Sequence, residues 1–279
     1  MLKNQFPAIY GPNQEVIRGA ELSTKAILGF VHSPIAHSFQ FNSDSTLIYP
    51  CEAHLAVVDV VSREFLCIPR QKPQAKVTCL KVTNQNKTQT TLVAETHNAE
   101  SVLYIQTVEC VWALSHKHLP LKEVITKAFL DGSICYTMTQ HTLSVWQLES
   151  QDLVTHKKLP EGCLSMELKS SKQVLVWGSN YLKLWELLGE ELQETQSIED
   201  VSPVDLKLHP TQTDKFVVLT TQSQLLVFEK FQVKSRVDVL QGASCLVMSS
   251  EECLVCGGLR IQVYFIDENL NFDLKKELE

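Results

Sequence analysis

Long apolar runs are missing from this 279-residue chain, and no segment approaches the roughly 18 consecutive apolar residues a membrane-spanning helix requires. The opening residues, Met1 to Pro7, place no apolar stretch behind their basic residue, which predicts no secretory signal and no membrane insertion. Positive charge is scarce as well. Lys and Arg total 25 against 32 Asp and Glu, a formal net charge of -7, so the broad positive field that grips phosphates is absent and no nucleic-acid partner is expected. Cysteine numbers 9, at 51, 67, 79, 110, 135, 163, 245, 253 and 256, odd in number and scattered. That pattern excludes a densely paired secreted framework and predicts reduced, mostly buried thiols in a cytoplasmic protein. The sequon Asn86-Lys87-Thr88 then has no glycosylation to accept. What the chain does have is 44% hydrophobic and 20% charged residues, ample for a real core. Its length suits either two average domains or one all-β domain.

Short runs of Val, Leu, Ile and aromatics recur, often alternating with polar residues and separated by clusters of Ser, Thr, Asn, Gln and Gly. Such alternation predicts strands, with little helix. One strand of the form apolar, any, apolar, bulky can be aligned through the chain. It reads Leu55-Ala56-Val57-Val58, Ser101-Val102-Leu103-Tyr104, Leu143-Ser144-Val145-Trp146, Leu182-Lys183-Leu184-Trp185, Leu225-Leu226-Val227-Phe228 and Ile261-Gln262-Val263-Tyr264. The bulky markers are therefore spaced by 46, 42, 39, 43 and 36 residues, close to the repeat length of a four-stranded propeller blade.

Most markers have the neighbours a blade needs. Strands are predicted over 124–130 and 133–137 before Trp146, over 163–168 and 173–178 before Trp185, over 204–208 and 215–220 before Phe228, and over 243–248 and 253–257 before Tyr264. More polar fourth strands follow at 152–158 and 233–240. A single four-stranded sheet cannot cover both of its faces, whereas stacking between neighbours does so, with the bulky markers as interblade packing residues. Two β-sandwiches would also give many short strands, but would not require the same strand to carry the same bulky residue. The expectation is an all-β single propeller over residues 26–279, with six visible blades, or seven if the N-terminal segment supplies one. Residues 1–25, with Pro7, Gly11, Pro12 and Gly19, read as an extended arm.

At these residues the chain resembles a divergent WD-repeat propeller over 36–279. The position that names the family appears as Trp146-Gln147, Trp185-Glu186, Phe228-Glu229 and Val58-Asp59, so Trp is partly kept and Asp mostly lost. No Gly-His dipeptide precedes a blade, so the family's Ser/Thr, His, Asp and Trp hydrogen-bond network is not carried over, and packing must supply more of the stability. The first blade, Ser45-Thr46-Leu47-Ile48-Tyr49-Pro50-Cys51 and Val57-Val58-Asp59-Val60, resembles the opening of the propellers in cilia- and flagella-associated WD-repeat proteins. That resemblance implies a non-catalytic scaffold of the motile-cilium axoneme, with axonemal or coiled-coil subunits as partners. The chain is too short for the two propellers and long coiled coil usual in those proteins. Adaptor subunits of trafficking, nuclear-pore or nucleolar complexes share the same features and stand as the alternative.

Ring closure calls for an extra segment, and Ala26-Ile27-Leu28-Gly29-Phe30-Val31 is the candidate for the outer strand of the last blade. The charged end, residues 273–279, fits either a last strand or a short helix. Several candidate chemistries reduce to structure. Cys253 and Cys256 have zinc or redox spacing, but inside a strand residues three apart point to opposite faces. His116 and His118 are expected in a solvated loop after Trp112. Gly257-Gly258 reads as a turn, lacking the sequel of a phosphate-binding loop. The five arginines, at 18, 63, 70, 236 and 260, offer no trio for a sialidase-like centre. No enzyme, cofactor or metal is expected. Glu190, Glu191, Glu194, Glu199 and Asp200 form an acidic stretch, read as a solvated rim or a face for a basic partner.

Overall fold

The computed structural model describes residues 40–41, 46–51, 54–59, 61–62, 65–69, 75–85, 88–97, 100–109, 113–121 and 123–279, apart from 213, 250–251, 258–259, 268–270 and 279. The N-terminal arm and the segment 26–31 lie outside them. The described residues contain strands and turns and no helix.

Among the described residues, twenty-four strands form six four-stranded sheets, each antiparallel and ordered as the strands follow in the chain. The first holds β1 (Gln40–Phe41), β2 (Thr46–Cys51), β3 (His54–Asp59) and β4 (Phe65–Pro69). The second holds β5 (Lys76–Gln85), β6 (Thr88–His97), β7 (Glu100–Glu109) and β8 (Ala113–Leu121). The third holds β9 (Lys127–Asp131), β10 (Ile134–Met138), β11 (Thr142–Gln147) and β12 (Asp152–Lys158). The fourth holds β13 (Cys163–Ser170), β14 (Gln173–Gly178), β15 (Tyr181–Leu188) and β16 (Glu191–Glu199). The fifth holds β17 (Pro203–Leu208), β18 (Lys215–Thr220), β19 (Gln224–Glu229) and β20 (Gln232–Asp238). The sixth holds β21 (Cys245–Met248), β22 (Glu252–Gly257), β23 (Arg260–Ile266) and β24 (Phe272–Leu278). The architecture is all-β and propeller-like. The chain divides into two compact units, residues 1–157 and 158–279.

All six bulky markers fall on the third strand of their sheets: Val58 on β3, Tyr104 on β7, Trp146 on β11, Trp185 on β15, Phe228 on β19 and Tyr264 on β23. Their direction repeats too. In the first unit Tyr104 packs with Ile48, Leu55 and Val57 of the first sheet, and Trp146 packs against Leu92, Leu103 and Ile105 of the second. In the second unit Phe228 packs with Leu175, Leu182 and Leu184 of the fourth sheet, and Tyr264 with Val217, Leu225 and Val227 of the fifth. Each of these four side chains points back onto the preceding sheet, so a bulky group closes each of these sheet–sheet cores from the same strand. This is the cover that an isolated sheet lacks.

Irregularities recur in some of the sheets, while the third–fourth ladders of the first and second sheets keep their register. The ladder between third and fourth strands shifts register at Leu184/Trp185, Val227/Phe228 and Val263/Tyr264, next to the marker each time. A second shift sits near the start of the first strand, at Val77/Cys79, Cys163/Ser165 and Pro203/Asp205. Bulges bend a strand and raise its twist, as radially stacked sheets need. Turns are tight: Glu229 pairs with Gln232 across Lys230 and Phe231, both at positive φ (49° and 65°). A two-residue turn of that shape usually takes Asn-Gly. Here Phe231 offsets the backbone cost by packing its ring 5.8 Å from that of Phe216.

The fourth strands of the fourth, fifth and sixth sheets are wet. β16 and β20 expose most of their residues, whereas β14, β18 and β19 are nearly all buried. One expectation changes. His116 and His118 lie in β8, opposite Gln106 and Tyr104, and not in a loop, because the long β7 offers a full ladder and an outer strand tolerates polar residues. The charged end takes the first of its two expected forms, a last strand, as β24 pairs with β23, while the latch segment 26–31 lies outside the described residues. The remaining boundary differences are of a few residues; Gly242 at φ 76° turns the chain ahead of β21 and delays that strand to Cys245.

Candidate interaction surfaces

The acidic stretch runs from Glu190 in the preceding turn along β16, whose far edge makes no ladder bonds among the described residues, to Asp200 just beyond it. Its charge is partly neutralised from within the sheet. Lys183 on β15 places its ammonium 3.1 Å from Glu194 and 3.9 Å from Glu199, while the Ser197 hydroxyl lies 2.7 Å from Glu199 Oε1. The rim therefore presents fewer uncompensated carboxylates than the sequence suggests.

Beside it, the ends of the fourth and fifth sheets enclose a cavity of about 80 Å³ lined by Asp200, Ser202, Gln222, Gln224, Leu226 and Arg236. Arg236 is opposite Leu226 in the β19–β20 ladder, which places it over the core shared by the two sheets. The space is the size of one small side chain and too small for most substrates. Arg236 and Arg260, the two described arginines, lie in different sheets, and Arg260 approaches Glu277 at 3.6 Å.

The first strands carry a polar clamp that sequence reasoning missed. Asp205 on β17 accepts from the backbone N–H of Leu206 at 2.8 Å and from Lys207 Nζ at 2.9 Å through Oδ1, and from the N–H of Leu246 on β21 at 2.9 Å through Oδ2. One carboxylate thus ties the fifth sheet to the sixth. Burial works against the charge of Lys207, but Asp205 and Glu167 outweigh it and hold the ammonium above its ordinary pKa. The available signal was a charged residue inside the apolar run Val204-Asp205-Leu206.

One part of the WD-type network is present. The Trp146 indole N–H donates to Thr137 Oγ1 at 2.9 Å, linking third strand to second. The indole N–H groups of Trp177 and Trp185 are buried without an acceptor. Asp59, the one retained Asp, accepts from the backbone N–H groups of Val61 and Ser62 and closes the turn after β3. His209 performs the same task after β17, its Nδ1 accepting from the N–H groups of Thr211 and Gln212 at 3.3 and 3.1 Å. That arrangement requires neutral imidazole, and burial followed by nearby Lys215 lowers its pKa.

Cys253 and Cys256 lie on β22 and point to opposite faces, Cys253 into the core and Cys256 away from it. Burial pushes Cys253 up to about 12 and raises Cys79 and Cys163 as well, which keeps these thiols protonated. Among the described residues no three His, Cys, Asp or Glu side chains are grouped to hold a metal. Gly257 closes the β22–β23 hairpin opposite Arg260, as a turn position should. A Cβ there would meet Leu240 Cδ1 at 2.5 Å and the Gly242 oxygen at 2.8 Å.

No protein-family model matches the chain, and no curated protein does. Solved structures do match, 1015 chains in all, and identities of 8–12% limit what they indicate to the fold. A functionally unknown protein from Desulfotomaculum acetoxidans DSM 771 aligns with a TM-score of 0.68 at 11% identity, over 84% of this chain and 80% of the other. A WD40 propeller in the crystal structure of the mitotic checkpoint complex aligns with a TM-score of 0.70 at 8% identity, over 90% of this chain and 79% of the other. KlHsv2 with loop 6CD replaced by a Gly-Ser linker aligns with a TM-score of 0.59 at 12% identity, over 86% and 84%. The chain is thus similar in fold to WD40-type propellers.

Proposed function

We propose that this chain is a non-catalytic scaffold that binds other proteins through strand edges, turns and interblade rims, without cofactor, metal, nucleic acid or membrane insertion. The observation that carries the reading is the division of the fourth and fifth sheets into buried inner strands, committed to packing, and a polar outer strand left for partners. Within that reading, the assembly we favour is the motile-cilium axoneme, with the protein in cytoplasm and cilium. The support is the first-sheet resemblance, in which Val57-Val58-Asp59 keeps the family Asp in a turn-closing role. The second reading is an adaptor in another cytoplasmic or nuclear complex, favoured by the likeness to a propeller of a multiprotein checkpoint assembly. Affinity purification with proximity labelling in ciliated cells separates them. Recovery of axonemal proteins is expected, whereas vesicle-coat, nuclear-pore or nucleolar components would support the second reading, and a chain recovered with no protein partner would overturn both.

A further inference from the structure

The sixth sheet sets two cysteines side by side. β21 and β22 pair antiparallel with Cys245 directly opposite Cys256. Leu246, Cys253 and Val255 point into the core shared with the fifth sheet, so strand alternation sends Cys245 and Cys256 to the other face. That face is open to reagents: Val247 and Phe265 are 50% and 45% exposed, Cys245 is exposed and Cys256 half-buried. Both thiols are free. Directly opposed residues of an antiparallel pair have Cα atoms about 4.5–5.5 Å apart, inside the roughly 4.4–6.8 Å span of disulfides. Among the other cysteines whose side chains are described, none combines these features. Cys253 opposes Met248, Cys163 opposes Gly178, and Cys79 and Cys135 are sealed in the core of the second and third sheets.

We propose that Cys245 and Cys256 form a cross-strand dithiol, a redox-modification site that closes reversibly to a disulfide by exchange with a small disulfide of the glutathione class. The more exposed Cys245 thiolate attacks one sulfur of the small disulfide, forming a mixed disulfide and releasing one thiolate. The Cys256 thiolate then attacks Cys245 Sγ, closing the protein disulfide and releasing the second. Two electrons pass from the protein to the small disulfide, and the two protein thiol protons end on two small thiols. Burial raises the pKa of both cysteines, with Asp205 and the opposing cysteine adding to the effect at Cys245. Closure therefore speeds with rising pH as thiolate accumulates, by up to about tenfold per pH unit below the thiol pKa. The bond pins the four-residue β21 to its neighbour.

The test incubates the full chain with glutathione disulfide, alkylates remaining thiols and maps the linked peptides by mass spectrometry. The expected product joins Cys245 to Cys256, is reversed by dithiothreitol, and melts at a higher temperature than the reduced chain. Cys256→Ser should leave Cys245 as a persistent glutathione adduct, while Cys253→Ser should close as the parent does. A stable glutathione adduct on Cys245 of the parent chain, a link through Cys79, Cys135 or Cys253, or Cys245 and Cys256 both remaining alkylatable would overturn the proposal.

Discussion

Removing the Phe228 ring is the sharpest probe of the interblade packing. Phe228 has 0% exposure, and its ring stacks on Phe216 with centroids 4.7 Å apart and planes within 5°. It lies in one core with Leu175, Trp177, Leu184 and Leu226, drawn from the fourth and fifth sheets. Truncating a buried Phe to Ala costs about 3–5 kcal/mol, the upper end applying where walls cannot collapse. Ladders on both sides of β19 fix its backbone, so Phe228→Ala should fall in the upper half of that range. Of that, about 0.5–1.5 kcal/mol belongs to the ring pair beyond area burial. A domain stable by about 5–15 kcal/mol would lose a large share of its margin. Urea unfolding followed by tryptophan fluorescence reads the change, with Trp177 reporting from the same core. A double-mutant cycle with Phe216→Leu and Phe228→Leu isolates the pair, and about 1 kcal/mol of coupling is expected. A loss below about 1 kcal/mol for Phe228→Ala would refute the assignment of the marker as an interblade anchor, while absent coupling in the cycle would refute only the ring pair within the fifth sheet.

Three further outcomes follow from particular hydrogen bonds. Trp146→Phe, which breaks the bond to Thr137, should cost about 1 kcal/mol more than Trp185→Phe, which removes a buried N–H without an acceptor; the reverse order in urea melts would contradict this. Asp205→Ala strands the Leu246 N–H and Lys207 and should cost about 2–3 kcal/mol, with faster amide exchange at Leu246; a cost below about 0.5 kcal/mol would show the clamp idle. His209 has a folded-state pKa below its ordinary 6.5, so the unfolded chain binds more protons and stability falls as pH drops from about 6.5 through the lower folded value. His209→Asn keeps an oxygen acceptor for the turn and should flatten the melting curve between pH 7.5 and about 5; parallel curves for variant and parent would deny His209 that role.

The six sheets were legible because the repeat is written in large residues. The strand ending in Val58, Tyr104, Trp146, Trp185, Phe228 or Tyr264 occupies the third place in every sheet, since only a strand with partners on both sides can bury a bulky group in each cycle. The bulges beside Trp185, Phe228 and Tyr264 left no mark, because a bulge changes the hydrogen-bond register without requiring a residue type at these positions. β8 carries no strand signature in the sequence, since Ser115, His116, Lys117 and His118 break the apolar rhythm, which an outer strand with one ladder need not keep. The Asp205 clamp was hidden for a different reason: a lone carboxylate in an apolar run becomes intelligible only once Leu246, 41 positions later, is seen to donate to it. The Cys245–Cys256 pairing likewise depends on hairpin register, whereas the visible spacing in the sequence was that of Cys253 and Cys256, which face apart.

Amide hydrogen exchange across the whole chain tests the central claim most directly, because the account assigns each strand a place in its sheet. Third strands, paired on both sides beneath a bulky cover, should exchange about tenfold or more slowly than the fourth strands beside them, with β15, β19 and β23 outlasting β16, β20 and β24. Equal protection of third and fourth strands, or slower exchange in the fourth, would contradict the stacked-sheet architecture on which the scaffold reading rests.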